Sequence, residues 1–146
     1  RQRQMCIRDS YLGELKALAK RLDVKVDFRG FIDCKSDEFR ELLETSKIFV
    51  FTSTAENCPL VLLEAMTAGL AIVTSNDTGC CEIVNDTALT VHATDTASIR
   101  ESMKKLIQDD LLRQQLGKAA RARVEKYYDE RIISEQLRML YKLEAE

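Results

Sequence analysis

The spacing of apolar residues changes several times along the chain, and each change predicts a switch between helix and strand. Residues 12–22 place leucine and alanine at helical intervals, so they predict the end of an amphipathic helix. The segment VKVDFRGF then alternates apolar and polar positions, which predicts a short strand ending at Gly30. Ser36 and Asp37 are suitable caps for a second helix that continues to about Thr45.

Two stretches, KIFVFTS and LAIVTS, are almost continuously apolar, which is typical of strands covered on both faces in a parallel sheet. Between them a helix is expected to begin at Pro59 and to end before Gly69. Proline suits the first helical turn, and glycine suits the position just past the end. Two short apolar pieces, CEIV and ALTV, follow with the turn-like NDT between them.

Three amphipathic helices are predicted after Asp95, over residues 96–108, 110–126 and 130–143. Strands that alternate with helices of this length predict right-handed crossover units. We therefore expect an α/β fold with a Rossmann-like, doubly wound parallel sheet, followed by a helical tail. Such sheets bind ligands outside the carboxyl ends of their strands. Residues 52–59, directly after the strand KIFVF, are expected to occupy that position.

The composition is that of an ordinary globular domain and excludes two classes of function. The chain has 146 residues, of which 45% are hydrophobic and 32% charged, enough to bury a core. A net charge of -2 gives no support to nucleic-acid binding. The apolar runs are shorter than the roughly 18 residues that a membrane span needs. Five cysteines without CxxC spacing indicate a reduced, cytoplasmic setting.

The first ten residues are treated separately. MCIRDS, at residues 5–10, is the translation of one reading frame of a transposase adapter used in sequencing, and RQRQ precedes it. We expect residues 1–10 to be an assembly artefact and residues 11–146 to be a partial domain. A native basic tail is the alternative.

The stretch ENCPLVLLE carries the candidate chemistry, because it places Glu56 and Glu64 around a proline and an aliphatic run. Buried carboxylates are costly unless a partner satisfies them. A helix that begins near Pro59 directs free backbone N–H groups toward the preceding loop, which suits a phosphate. Glycoside hydrolysis also needs two carboxylates, but the parallel α/β context favours nucleotide-sugar binding. Glu64 as a helix-surface acid and Glu56 as a solvated loop acid stay open as alternatives.

The stretch FTSTAENCPLVLLEAMTAGLAIVTSNDTGCCEIV resembles the donor-binding core of the family-4 glycosyltransferases of the two-domain GT-B fold. That family carries a glutamate, seven residues and a second glutamate, and the likeness extends from about Leu12 to the end of the chain. The resemblance implies the C-terminal donor-binding domain of a retaining glycosyltransferase, truncated at its N-terminus. It implies transfer of a glycosyl group, of hexosyltransferase type, from a nucleoside-diphosphate sugar to an acceptor.

The same resemblance implies a role for each site residue. Glu56 is the expected catalytic residue, facing the transferred sugar, and Glu64 is expected to bind the ribose hydroxyls. The remaining expected donor-binding residues are Asn57 and Cys58 around the sugar, the amides of Leu60 and Val61 at the distal phosphate, and Phe31 and Ile32 beside the base. Pro59 is counted with them, although helix initiation alone accounts for it.

Other residues are expected to have smaller roles. His92 is expected at a strand end without a catalytic function, and Cys80 and Cys81 are expected to pack or to face the edge of the cleft. Alternatively, the stretch TGCCE places Thr78 and Gly79 near the donor phosphates. No metal and no other cofactor is expected, since the chain has no Asp-x-Asp tripeptide.

The chain also departs from the family pattern. The arginine and lysine that neutralise the diphosphate in the family precede the matching region, so this polypeptide alone is expected to be inactive. The loop NDTALTV lacks the usual glycine pair, which leaves its shape open. The last helix crosses to the other domain in the family, so its apolar face is expected to be partly exposed, with residues Ile133, Leu137, Leu140 and Tyr141.

The expected partners are a nucleotide-sugar donor and a glycan, lipid or small-molecule acceptor, with peripheral membrane contact at the inner face through another domain. Two alternatives stay open. The first is a non-catalytic α/β module that binds a nucleotide or a partner protein. The second is a GT-B relative such as an epimerase or phosphorylase.

Overall fold

A computed structural model describes residues 2–143, with side chains placed from Tyr11 to Tyr141. The chain divides into two compact units, one up to Cys34 and one from Lys35 onward. The elements in chain order are α1 (Gln2–Arg21), α2 (Asp37–Thr45), β1 (Ile48–Phe51), α3 (Leu60–Thr67), β2 (Ala71–Ser75), α4 (Cys80–Val84), β3 (Leu89–Val91), α5 (Thr96–Gln108), α6 (Asp110–Tyr127) and α7 (Glu130–Leu143).

The first unit consists of α1 and an irregular segment. The predicted helix end is confirmed, because α1 ends at Arg21. The strand predicted in VKVDFRGF is wrong, since residues 24–33 adopt neither helix nor strand. A strand needs a second extended segment to share its backbone hydrogen bonds, and no paired strand is present among the described residues of this unit. Val24 and Val26 are accordingly exposed.

Residues 2–10 belong to the first half of α1, and their side chains lie outside the described ones. The interpretation of residues 1–10 as an artefact therefore stays a prediction.

The second unit contains a parallel sheet in the order β1, β2, β3. The central strand β2 is buried along its whole length, as predicted for LAIVTS. The strand β1 also packs on both faces, as predicted for KIFVFTS, with Phe49 and Phe51 against one core layer and Ile48 against the other, but Val50 is 37% exposed. Val50 pairs with Val73 and so faces the α5 side, but α5 packs mainly on β2 and β3 and leaves the β1 edge open.

Helices cover both faces of this sheet, so the predicted doubly wound α/β architecture is confirmed. On one face, Ile72 packs with α3, α4 and the C-terminal half of α6. On the other face, Ala71 and Val73 pack with α5 and the N-terminal half of α6. The alternation along β2 thus divides the core into two layers.

The predicted helices after the first strand are confirmed, and most have side-chain caps. Ser36 accepts a hydrogen bond from the amide of Phe39 at the start of α2, and Asp95 and Asp109 cap α5 and α6. The loop NDTALTV, whose shape the sequence left open, closes without a glycine. Asn85 takes a positive φ of 49°, and the Thr87 amide and hydroxyl both donate to the Val84 carbonyl.

The apolar face of α7 is partly exposed, as predicted. Its exposed side chains range from 38% for Ile133 to 71% for Tyr141. Across residues 2–143, no helix combines the length and apolar character that a bilayer crossing demands.

Candidate functional site

Two loops at the carboxyl ends of β1 and β2 form an open cleft with a volume of about 1010 Å³. The first loop follows Phe51, as predicted for residues 52–59, and the second joins β2 to α4. Parallel sheets bind ligands at this edge. The lining residues are Thr54, Ala55, Glu56, Asn57, Cys58, Asn76, Asp77, Thr78, Gly79, Cys81 and Glu82.

The last two residues of β2 tie the cleft loops to the sheet. Thr74 and Ser75 are fully buried. The Thr74 hydroxyl donates to the Phe51 carbonyl at 2.8 Å, and the Ser75 hydroxyl donates to the Ser53 carbonyl at 2.7 Å. The Ser75 hydroxyl also lies 3.2 Å from that of Thr78. Because buried polar groups are costly when unpaired, these bonds fix both loops relative to the strands.

Gly79 brings the two loops into backbone contact. Its amide donates to the Glu56 carbonyl at 2.8 Å. A Cβ atom at this position would overlap the backbone carbonyl of Asn57, so only glycine allows the approach. In the sequence this contact is marked by the TG dipeptide before α4. The glycine contact holds Glu56 and Asn57 against the start of that helix.

The charge of the cleft is negative. Glu56, Asp77 and Glu82 contribute carboxylates, whereas no lysine or arginine occurs among the described lining residues. Asp77 lies 3.5 Å from Nε2 of His92, the residue after β3, and Nδ1 of that ring lies 3.0 Å from the Thr94 hydroxyl. His92 is therefore at a strand end, as predicted, and joins the loops after β2 and β3.

The N-terminus of α3, beside this cleft, has no side-chain cap. Pro59 precedes the first turn and makes no capping hydrogen bond, and Leu60 is 72% exposed. By contrast, Asp95 accepts hydrogen bonds from the amides at the start of α5. The pKa of Asp95 is lowered from 3.8, first by the Ser98 hydroxyl and then by the Ser98 amide. At α3 the Leu62 amide donates to the Pro59 carbonyl at 3.0 Å, whereas no side chain takes the amides of Leu60 and Val61, so those two are left to an external acceptor.

The structure brings together some of the predicted site residues. Glu56, Asn57 and Cys58 line the cleft with Thr78 and Gly79. Glu56 is half-buried, and Asn57 and Cys58 are exposed. Cys81 also lines the cleft, whereas Cys80 is fully buried in the core.

The other predicted residues lie elsewhere. Pro59, Leu60, Val61 and Glu64 belong to α3 and its N-cap and are not among the lining residues. Glu64 is half-buried one turn after Leu60, on the same helix face. Phe31 and Ile32 belong to the first unit, where Phe31 is 94% exposed. The ligand contacts inferred for all of these residues stay predictions.

Sequence reasoning missed several lining residues, above all Asn76, Asp77 and Glu82. Asn76 and Asp77 directly follow β2, so the rule that selected residues 52–59 also points to them. Within the described part of the chain, no group of three His, Cys, Asp or Glu side chains is arranged to hold a metal ion.

Comparison with known proteins gives a consistent picture. The family model described as "Glycosyl transferases group 1" matches residues 4–123. The capsular polysaccharide biosynthesis glycosyltransferase CapM of Staphylococcus aureus is 34% identical over 96 residues, which cover 64% of this chain and 25% of that protein. A Campylobacter jejuni enzyme, N,N'-diacetylbacillosaminyl-diphospho-undecaprenol alpha-1,3-N-acetylgalactosaminyltransferase, is 34% identical over 113 residues, covering 76% of this chain and 30% of the enzyme.

Among solved structures, Anabaena HepE in complex with UDP superposes with a TM-score of 0.79 at 20% identity, over 94% of this chain and 38% of that one. This likeness confirms the expected GT-B type of fold. The chain spans less than a third of the length of the two curated relatives.

Proposed function

The chain belongs to the family of group 1 glycosyl transferases, and on that premise we propose that it supplies the donor-binding part of a retaining hexosyltransferase. The proposed donor is a nucleoside-diphosphate sugar, and the proposed acceptor is a glycan, a lipid or a small molecule. Because the chain spans less than a third of its curated relatives, transfer is proposed for the whole protein.

The observation that carries this proposal is the uncapped N-terminus of α3 beside a cleft at the carboxyl edge of the sheet. Backbone N–H groups and the helix dipole favour an anion there, and a diphosphate is the proposed occupant. The amides of Leu60 and Val61 are proposed to contact the distal phosphate. Glu64, one turn later, is proposed to accept from the ribose hydroxyls.

The sugar is proposed to lie in the cleft itself. Glu56 is the proposed catalytic residue, since its half-buried carboxylate lines the cleft and its carbonyl is fixed by Gly79. Asn57 and Cys58 are proposed to close around the same ring. Phe31 and Ile32 are proposed to lie beside the base, and Pro59 is proposed only to start the helix.

The proposed reaction proceeds by departure of the nucleoside diphosphate and attack on the same face of the sugar. Catalysis would then consist mainly of positioning and of stabilising the charge on the leaving group. The described lining carries three carboxylates and no cationic side chain. We therefore propose that cations from another part of the protein neutralise the diphosphate and that these 146 residues alone do not transfer sugar. We also propose that no metal or other cofactor takes part, because the sequence has no Asp-x-Asp tripeptide.

The relatives support the choice of ligands. Anabaena HepE was solved with UDP, and the C. jejuni relative is named for transfer of N-acetylgalactosamine to a diphospho-undecaprenol substrate. For the present protein we propose a UDP- or GDP-hexose donor and a cytoplasmic location, with contact to the inner face of the membrane through another domain.

Calorimetric titration of the chain with UDP, GDP and their hexose conjugates tests this proposal. We expect one nucleotide series to bind, and Glu64→Ala to weaken binding about tenfold because it removes the proposed ribose acceptor. Glu101→Ala is the matched control, since Glu101 is an exposed acid on α5, outside the cleft. A chain that is folded by circular dichroism and binds none of these ligands would contradict the proposal.

The cation-free lining of the described cleft favours a second candidate function, a non-catalytic module that binds a nucleotide or a partner protein. The two candidates differ in what they require of Glu56. In the whole protein, Glu56→Gln should abolish sugar transfer under the first proposal. Under the second, no donor is consumed by the wild-type protein, and Glu56→Gln leaves its binding properties unchanged.

A further inference from the structure

Arg123 lies on α6, outside the cleft lining, yet it makes two short contacts with a wall of the cleft. Its Nε donates to the carbonyl oxygen of Ile83 at 2.6 Å, and its Nη2 donates to that of Glu82 at 2.9 Å. Both carbonyls belong to the last turn of α4. The final carbonyls of a helix lack intrahelical partners and carry partial negative charge. The positively charged guanidinium of Arg123 is therefore a well-matched hydrogen-bond donor to them.

The helix that Arg123 holds is short, and its position depends on its contacts: Cys80, Ile83 and Val84 pack in the core, and Arg123 binds its last carbonyls. The five residues of α4 form little more than one turn, and isolated helices of this length are unstable. Its first residues lie in the cleft wall, where Cys81 and Glu82 are lining residues. A shift of α4 would therefore change the shape of the cleft directly.

The guanidinium is itself held in place. It lies over the ring of Tyr127, 5.1 Å from the ring centroid, a cation–π arrangement that restricts its rotamers. The planar fork of arginine matches two neighbouring carbonyls, which the single ammonium of lysine cannot do. The contact thus joins α6 to a segment about 40 residues earlier in the chain.

We propose that Arg123 is a positioning residue of the cleft: it fixes α4 so that the wall formed by residues 78–82 keeps the shape that binds the sugar of the donor. Arg123 does not touch the donor. The proposal rests on the proposed function only for the identity of the ligand.

The test combines a local and a functional measurement on Arg123→Ala, Arg123→Lys and a matched control, Arg121→Ala. Arg121 lies on the same helix, where it pairs with Glu125 at the surface. Hydrogen exchange of α4 is measured against that of β2, and UDP- and GDP-hexoses are titrated by calorimetry. For Arg123→Ala we expect about tenfold faster exchange in α4, unchanged exchange in β2 and about tenfold weaker nucleotide-sugar binding.

Arg123→Lys should recover part of both losses, because it keeps the charge without the fork, and Arg121→Ala should match the wild type. The proposal is overturned if hydrogen exchange in α4 does not change in Arg123→Ala. It is also overturned if exchange becomes equally faster in α4 and β2, because that result indicates a general loss of stability. Faster α4 exchange with unchanged nucleotide-sugar affinity also overturns it. If Arg123→Ala does not fold, Arg123→Lys is judged by the same criteria. A wild-type chain that binds neither nucleotide sugar refutes the proposed function, and the exchange data then decide the positioning role alone.

Discussion

The two ends of α3 are built in opposite ways. At the C-terminal end, Gly69 has a φ of +74°, and the amides of Gly69 and Leu70 donate to the carbonyls of Met66 and Ala65 at 3.0 and 3.1 Å. This pattern satisfies the last carbonyls of the helix. At the N-terminal end, Pro59 has no N–H to donate, and no side chain caps the first turn. One end is closed by the chain itself, and the other is left for a ligand.

Both ends nevertheless rest on a close glycine contact. A Cβ atom on Gly117 of α6 would overlap the carbonyl oxygen of Gly69 near the C-terminal end. A Cβ atom on Gly79 would overlap the backbone of Asn57, just before the N-terminal end. The N-terminal end of α3 is therefore held in place by the packing of the loop that precedes it. The binding position is thus preformed, which lowers the entropy that is lost when a ligand orders the site.

Alanine at the two contact glycines provides the strongest test of this comparison. Gly117→Ala and Gly79→Ala should each lower the free energy of unfolding by roughly 1 to 3 kcal/mol, because the added methyl group meets backbone atoms that must shift. Only Gly79→Ala should also weaken binding of a UDP- or GDP-hexose, since it displaces Asn57, which is proposed to contact the sugar in the cleft. Urea unfolding and nucleotide-sugar titration measure the two effects.

Gly13→Ala is the control for these variants, because an added Cβ at Gly13 meets no other atom within 4 Å. It should be neutral or slightly stabilising, as alanine favours a helix. A Gly79→Ala variant as stable as the wild type would show that the loop contact is not tight. Equal loss of nucleotide-sugar affinity in Gly117→Ala would remove the distinction between the two ends.

Gly69→Ala should destabilise the chain by about 1 to 2 kcal/mol, because an alanine Cβ disfavours a positive φ. Contacts with other parts of the chain do not explain this loss, since the nearest such atom to an added Cβ, the Gly117 carbonyl oxygen, is 3.8 Å away. Gly69→Asn should lose less, because asparagine tolerates the left-handed region better. Nucleotide affinity should not change in either variant. Urea unfolding that ranks asparagine below alanine would contradict this account of the closed end.

Pro59→Asp tests the open end by giving α3 the type of cap that Asp95 gives α5. The new carboxylate should accept from the first-turn amides and repel a phosphate, so nucleotide affinity should fall about tenfold. Calorimetric titration measures the loss. Pro59→Ala is the control, since it removes the ring without adding an acceptor. If Pro59→Asp binds nucleotide as well as Pro59→Ala does, the α3 terminus is not the anion site.

The sequence was sufficient for elements whose signals are local. Helical apolar spacing located α5, α6 and α7 within a residue or two, and Ser36 with Asp37 marked the start of α2, because these signals act within one or two turns. The segment VKVDFRGF shows the limit of such reasoning. Its alternation fits a strand, but alternation does not reveal whether a neighbouring strand exists, and residues 24–33 form none.

The candidate site shows the same division. Glu56, Asn57 and Cys58 were found because they follow a strand and precede a helix. Asp77 was within reach of the same rule and was missed. Arg123 carried no local signal at all, since its contact with Ile83 spans 40 positions and depends on how α6 packs.

The C-terminal end of α4 differs from that of α3, because Asn85, and not a glycine, takes the positive φ after the helix. Asn85 has φ 49° and ψ −121°, a region that suits glycine. Asn85→Gly should therefore raise the free energy of unfolding by roughly 0.5 to 1 kcal/mol, because the backbone strain that it relieves exceeds the additional conformational entropy that glycine loses on folding. It also removes the hydrogen bond that the side-chain Nδ2 of Asn85 donates to the Asp86 carboxylate. Asp86→Ala removes that bond alone and corrects for it in urea unfolding. An Asn85→Gly variant less stable than Asp86→Ala would mean that the asparagine is not strained.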